Sequence, residues 1–594
     1  MFEEEKISNI VKIFDSGKTQ QAITELLKLI KKYPDKLEYT FLYGKMCNSL
    51  NRLDEAEKIF LHLINKNKSS IDFLKNLYIV YLKNNQPIKA EKYILKILKK
   101  NNDDYDSLRD LGYINFLQKK YNLAESIFKR ILKKIDHDIF ALNVYGLICY
   151  FLDNVDEAIN YFVKAIKLNP NYLDSYNNLG KIYFDLEDID KAFYNFKKAY
   201  KLNRDFPQTL TNIGNILSLK DKNYNSILAY KKAMGVIENN PELLANISIA
   251  YSRIADFENS LKYYKEANKY KSTNISLNLS LSYLYLYKNK YIEAWKLFDS
   301  RIHNNKFFKK KYNQKLITHI LKNKQNFNKN DKLLILREQG VGEEILFSSI
   351  YPDLINYSQN VTIECDPRLI KIFERSFEKN IFVEDGKFSK SLDGLKKFDS
   401  VIFAGSLCKK FRKTHSDFRR MNYLISDKTK DIKINQSIEK DIKKLRVGLS
   451  WKSVVSIYGK LKSLSLYDFK NLFTNNRQFI NLQYGDVKDE IEKFKSENYE
   501  IYSCENIDLF NDLEGCMSLL KNLDVFVTVS NTTAHIAAAM GVKTILICPK
   551  KSSTYFYWNN ERNITPWYNN VEIIKVSGSI NNTIKKVDNI LKEI

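Results

Sequence analysis

The chain has little that would tie it together covalently. Its seven cysteines (Cys47, Cys149, Cys365, Cys408, Cys504, Cys516 and Cys548) are scattered, odd in number and never form a CxxC pair. That argues against a disulfide framework or a cysteine zinc site, and for a reducing compartment. No apolar stretch approaches the roughly 18 residues of a spanning helix. The opening residues, MFEEEKISNI, have neither a basic n-region nor an apolar h-region. The expectation is a soluble, cytoplasmic protein. An Arg-rich arm, a zinc finger and an RNP-like aromatic strand are also missing, so the net charge of +25 is not read as nucleic-acid binding. The excess is mostly lysine, spread along helical stretches beside Glu and Asp, as on solvated helix faces. It leaves room for attraction to anionic substrates or for peripheral association with an anionic membrane surface.

What is present is ample core material. With 594 residues and 44% hydrophobic content, the chain exceeds one core and should hold two or more domains. A period of 34 dominates the first half. Small residues recur at Ala22, Ala56, Ala90, Ala124, Ala158, Ala192, Ser226, Ser260 and Ala294. Four positions later stand Leu26, Phe60, Ile94, Phe128, Phe162, Phe196, Tyr230, Tyr264 and Phe298. Twelve positions before the small residue, Gly44, Gly112, Gly146, Gly180 and Gly214 share one slot. Two antiparallel helices per unit explain this: small residues let the pair approach, and the aromatic on the same face fills the groove. The pattern resembles the tetratricopeptide repeat, nine copies over residues 3–308. The resemblance implies an α-solenoid whose concave surface binds protein segments, or a scaffold that spaces domains. Asp104 and Asp106 look like a DxD metal motif but fall at a junction between repeats, where a solvated turn is expected, so no metal is assigned.

Residues 309–330 read as a linker. Beyond them the runs KLLILR, NVTIEC, SVIFAG, RVGLSW, QFINLQY, DVFVTVS and KTILICP alternate with helical stretches. That is the rhythm of buried parallel strands in βαβ units. A basic segment, 408–445, divides an N-terminal lobe (331–430) from a C-terminal lobe (445–594), both doubly wound and facing one cleft. Ligands in such sheets sit beyond the carboxyl ends of strands. Three loops lie at such ends. The run LREQGVGEEILF lacks the third glycine of a dinucleotide fingerprint, because Ile345 stands there, and it lacks the Gly-Lys-Ser/Thr of a P-loop. WKSVVSIYGKLKS carries Lys452, Lys460 and Lys462. SNTTAHIAAAMG offers Ser530, Asn531 and Thr532 as N-cap residues, with His535 in the first turn. Such a helix start can receive a diphosphate.

In order and spacing, the stretches QGVGEEILFSSIYPDL, VGLSWKS, KSLSLYDF, NLQYGD, DLEGCMSLLKNLDVFVTVSNTTAHIAAAMGVKTILICP and TPWYNNV resemble glycosyltransferase family 9, the heptosyltransferase-like group. AWKLFDSRI resembles the W-x-x-x-x-x-R segment that closes the repeats in fusions of this kind among bacterial proteins. The resemblance implies a GT-B fold of two Rossmann-like lobes, metal-independent and without a cofactor. The nucleotide-sugar donor would lie mainly on the C-terminal lobe and the acceptor toward the N-terminal lobe.

It further implies Glu343 as general base, in place of the family's aspartate, at Gly342-Glu343. Lys462, with Lys460 as a near alternative, would favour the departing diphosphate. His535 would sit at the sugar or phosphate, and the helix start Ser530, Asn531, Thr532 and Thr533 at the diphosphate. Ser530 stands where the family often has an acidic residue. Gly340, Gly342, Glu344, Trp451 and Gln483 complete the expected substrate-binding set. Glu344 on its own terms is a first-turn residue favoured by the helix dipole. The function expected is transfer of a sugar from a nucleotide-diphosphate donor to a protein or glycan acceptor held by the repeat arm. The alternative is a non-catalytic adaptor, a protein-binding scaffold whose transferase domain has degenerated.

Overall fold

The computed structural model describes residues 2–304, 308, 311–322, 327–338, 340–438, 444–453, 462–548, 556–558, 564–576 and 579–594. They form two compact units, Met1–Thr209 and Leu210–Ile594.

The first unit is a run of helical hairpins, from Phe2–Asp15 paired with Thr19–Lys32 to Leu173–Asp185 paired with Ile189–Leu202. Within each hairpin after the first, the leading helix ends at a left-handed residue other than glycine. These are Asn51, Asn85, Lys119, Asp153 and Glu187, again 34 apart, with φ between 54° and 63°. Each sets up the same closing bond, in which the N–H of the next residue reaches back to a carbonyl five positions earlier. Arg52 to Cys47 spans 2.9 Å, Gln86 to Tyr81 2.8 Å and Asp188 to Tyr183 2.9 Å. This is the Schellman closure of a helix C-terminus.

Within the hairpins, Ala22, Ala56, Ala90, Ala124, Ala158 and Ala192 are wholly buried. The glycine slot is filled by its partner's ring. A Cβ at Gly146 would lie 3.0 Å from Phe162, and one at Gly180 2.7 Å from Phe196. Where the slot holds a large residue, Ile10 or Tyr78, the partner shrinks to Leu26 or Ile94, all of them buried. The ring is thus given up where the slot itself is filled, as a close-packed interior demands.

In the second unit the helices from Asn223–Met234 to Tyr291–Phe298 continue this pattern with serine in the slots. Ser248 Oγ donates to the Ser260 carbonyl and Ser282 Oγ to the Ala294 carbonyl, both at 2.8 Å. The helix Ser300–Asn304 follows. The stretch assigned to a linker contains a helix, Gln314–Lys322. Its Leu316, Ile317 and Ile320 pack on Leu334, Leu336, Val401 and Phe403 of the first sheet.

That sheet has four parallel strands in the order β3-β2-β1-β4: β1 Leu333–Leu336, β2 Val361–Cys365, β3 Phe382–Glu384 and β4 Ser400–Phe403. The second has five parallel strands in the order β6-β5-β7-β8-β9: β5 Leu445–Ser450, β6 Arg477–Asn481, β7 Val525–Val529, β8 Thr544–Cys548 and β9 Val571–Lys575. The seven expected apolar runs are all strands, and β1, β4, β7 and β8 are buried along their whole length. The two edge strands β3 and β9 had no such signal. One has three residues, and the other buries only Ile574. Among the described residues no helix is long and apolar enough to cross a membrane.

Candidate functional site

Strand β1 delivers Arg337 and Glu338 at its carboxyl end, and the helix Val341–Ser348 starts from Gly340. Both glycines of this turn are set by close approach. A Cβ at Gly340 would lie 2.8 Å from the Glu343 Oε2, so that carboxylate folds back over the turn. A Cβ at Gly342 would lie 3.2 Å from the His535 Cδ2 and 3.7 Å from the Thr532 Cα. The first-lobe helix therefore meets the start of the second-lobe helix Thr532–Met540 with no room for a side chain.

Glu343, Lys462 and His535 lie near one another here. Lys462 is half-buried within electrostatic reach of Glu343 and of His535. Burial pushes the Lys462 ammonium down, and the Glu343 carboxylate opposes that shift. His535 is 6% exposed. Burial, and then the Lys462 cation, hold its imidazole down at about 3, so it stays neutral at ordinary pH. An aromatic cage fixes the ring: Nδ1 lies 3.0 Å from the Tyr568 hydroxyl, and Trp558 stacks on it at 4.3 Å and 27°. These cage residues were not identified individually from sequence, although TPWYNNV contains Tyr568.

Several residues expected at a ligand make internal contacts, and of these Gln483 also lines the hollow beyond β6. Glu344 is 1% exposed and faces inward. It pairs with Arg337 at 2.5 Å and accepts the Asp366 N–H at 2.9 Å. Burial pushes its carboxyl up to about 8 against the pull of Arg337. Arg337 also meets Asp366 at 3.4 Å and Asp385 at 3.2 Å, so Glu344 sits at the edge of a buried arginine–carboxylate cluster and not at a solvated helix start. Trp451 is completely buried in the second-lobe core, its Nε1–H donating to Glu490 at 3.0 Å. The Gln483 amide is consumed tying strand ends together: its Oε1 accepts from Ser450 Oγ (3.1 Å), Trp451 N (2.8 Å) and Lys452 N (2.6 Å).

Ser530 accepts the Trp558 Nε1–H at 3.0 Å and is 1% exposed. Asn531 is the N-cap, its Oδ1 accepting from Ala534 N at 3.0 Å while Nδ2 donates to Ser450 Oγ at 2.8 Å. Thr533 is buried, and Thr532 is partly open. Lys460 lies outside the described residues. Asp104, of the DxD-like pair, caps the helix Tyr105–Leu117 and pairs with Lys75 at 2.7 Å.

Beside the Gly342–His535 contact a cavity of ≈ 270 Å³ opens between the lobes. Val341 and Arg368 form one wall, and Tyr484, Phe510, Thr532 and Ile536 form part of the other. Neither Glu343 nor Lys462 is among its described lining residues. Arg368 spans it, donating to the Phe510 carbonyl at 2.8 Å while Asp366 holds its Nε at 2.8 Å. A larger hollow of ≈ 570 Å³ follows the end of β6, around Tyr484, Gly485, Lys488 and Asp508.

Comparison with known families matches residues 146–186 to the TPR repeat, and residues 173–206 and 14–69 to the tetratricopeptide repeat. Protein FlbA of Caulobacter vibrioides is 28% identical over 260 residues, a match spanning 40% of this chain and 42% of FlbA. Similar solved structures include a tetratricopeptide repeat protein from Parabacteroides merdae, 19% identical with a TM-score of 0.38, covering 42% of this chain and 98% of that one. Another is the Cut9–Hcn1 assembly, 15% identical with a TM-score of 0.37, covering 45% and 52%. The N-terminal hairpins are tetratricopeptide repeats, and they precede a C-terminal α/β region of two parallel sheets.

Proposed function

We propose that the C-terminal region is a GT-B glycosyltransferase, resembling family 9, that moves a sugar from a nucleotide-diphosphate donor to an acceptor brought by the repeats. The observation that carries the reading is the convergence of one carboxylate, one ammonium and a helix start at the carboxyl ends of two parallel sheets. Glu343 and Lys462 lie within electrostatic reach of each other where Gly342 meets Thr532 and His535. In this reading Glu343 takes the proton of the acceptor hydroxyl. Lys462 and the free amides at the start of Thr532–Met540 offset the charge growing on the departing diphosphate. His535, neutral and caged, shapes the site and does not itself transfer a proton. The hollows beside Thr532 and after β6 offer room for the donor. The repeats favour a protein acceptor.

A thermal-shift screen of nucleoside diphosphates and their sugars tests this. A ligand bound only by the folded state at a hundred times its Kd stabilises by about 2.7 kcal/mol. Stabilisation by one nucleotide class and not others supports the reading. A second reading, a protein-binding scaffold, is favoured by the engaged Ser530 and His535, whose polar atoms meet Trp558 and Tyr568. No shift with any nucleotide, together with retained peptide binding, would select the scaffold.

A further inference from the structure

The helix that ends the repeats carries Trp295, and the next helix carries Arg301. Arg301 is 5% exposed, and each of its guanidinium nitrogens is engaged. Nη2 donates to Glu338 Oε1 at 2.6 Å and Nε to Glu338 Oε2 at 3.2 Å, a bidentate pair. Nη1 donates to Asp299 at 2.8 Å. Glu338, 1% exposed, also accepts the Gly405 N–H at 2.7 Å. A Cβ on Gly405 would fall 2.9 Å from both Arg301 Nη2 and Glu338 Oε1, so the pair is closed in on that side. Asp299 in turn accepts from Ser406 Oγ at 2.6 Å and pairs with Lys409. The Trp295 Nε1–H donates to the Arg412 carbonyl at 2.6 Å. From the last repeat's leading helix, Tyr283 stacks on Phe556 at 5.1 Å and 17°, within electrostatic reach of Arg301, Glu343 and Glu338.

An ion pair this deep is weak evidence for stability, because desolvation offsets most of its attraction. What a bidentate arginine–carboxylate pair supplies is orientation. Glu338 stands five residues before Glu343, at the carboxyl end of β1. We propose that Arg301 is a positioning residue for the transfer site. Through Glu338 it fixes the turn that presents Glu343, with Tyr283 closing the same side, so the last repeat is part of the reaction centre and not only of the acceptor-binding array. This rests on the transferase reading above.

The full-length protein tests it with Arg301→Met, Arg301→Lys and Glu338→Gln, set against Trp295→Phe. The control weakens docking of the preceding helix, Tyr291–Phe298, without touching Glu338. Hydrogen exchange is read at the amides of Val341–Ser348 and, for reference, of Ile139–Leu202. Arg301→Met is expected to raise exchange about tenfold at Glu344, whose N–H bonds the Gly340 carbonyl at 2.9 Å, leaving the reference helices unchanged. It is also expected to lower kcat about a hundredfold with the donor KM little changed. Arg301→Lys should not restore either readout, since an ammonium cannot reproduce the fork. Should Arg301→Met fail to fold, Glu338→Gln, close in shape and still an acceptor, reports the same two quantities. Wild-type exchange and kcat in Arg301→Met, or equal losses in Trp295→Phe, overturn the inference. If the wild type turns over no nucleotide sugar, the transferase reading fails on that ground alone, and the exchange result still decides whether Arg301 positions the turn.

Discussion

Replacing Gly342 by alanine probes a close approach between the lobes. The new methyl carbon would stand 3.2 Å from the His535 Cδ2 and 3.7 Å from the Thr532 Cα. His535 cannot step aside cheaply, because Trp558 stacks on it at 4.3 Å and Tyr568 holds its Nδ1 at 3.0 Å. Overpacking a close-packed contact costs about 1–3 kcal/mol. Against this, alanine is favoured over glycine in a helix interior by about 1 kcal/mol, and by less in a first turn. The net expectation is a loss of about 1–2 kcal/mol. The assay is built into the chain. Its four tryptophans, Trp295, Trp451, Trp558 and Trp567, all lie in the Leu210–Ile594 unit and are at most 3% exposed. Urea unfolding followed by tryptophan emission therefore reports that unit alone. In a double-mutant cycle, His535→Ala should relieve about 1 kcal/mol of the Gly342→Ala loss. A Gly342→Ala protein as stable as wild type, or strictly additive losses, would refute the contact.

Three further outcomes are expected. His535 titrates near 3 in the folded state and near 6.5 when unfolded, so between those values the unfolded chain binds the extra proton. Its contribution is complete above about pH 6.5 and falls by about 1.4 kcal/mol per pH unit below it; His535→Phe should flatten that acid limb in the tryptophan assay. Gln483→Leu leaves the buried Trp451 N–H and the part-buried Lys452 N–H without their acceptor and should cost about 1–3 kcal/mol of the same unit's stability. In the first unit, Gly146→Ala drives a methyl to 3.0 Å from the Phe162 ring and should raise hydrogen exchange in the helices Ile139–Phe151 and Val155–Leu168. Adding Phe162→Ile should restore part of the protection, following the Tyr78–Ile94 pair.

The parts of the molecule legible in sequence were those written as residue size at fixed spacing. The small-residue and aromatic slots and the seven apolar strands are of this kind. The left-handed closure of each hairpin repeats just as strictly, yet its residues are Asn, Asn, Lys, Asp and Glu, so backbone geometry recurs there without a residue type to mark it. In the site, the helix start at Asn531 was readable from its position after a strand, whereas Glu343 and Lys462 were singled out by the family resemblance. The fates of Glu344, Trp451 and Gln483 were not readable, because each is set by partners beyond its own turn or strand: Arg337 and Asp366, the second-lobe core, and the β5–β6 strand ends. Arg301–Glu338 is likewise a pairing across 37 positions. A motif can flag Arg301, but only the fold shows what it holds.

The most direct test of the account is turnover. Purified protein is incubated with the nucleotide sugar selected by thermal shift, and nucleoside diphosphate release is followed for wild type, Glu343→Gln and Lys462→Ala. The account predicts release by wild type and losses of about 10²- to 10⁴-fold in the Glu343 variant, the range of a positioned general base, with Lys462→Ala also impaired. Release undiminished in Glu343→Gln, or none from wild type with any donor, would contradict it.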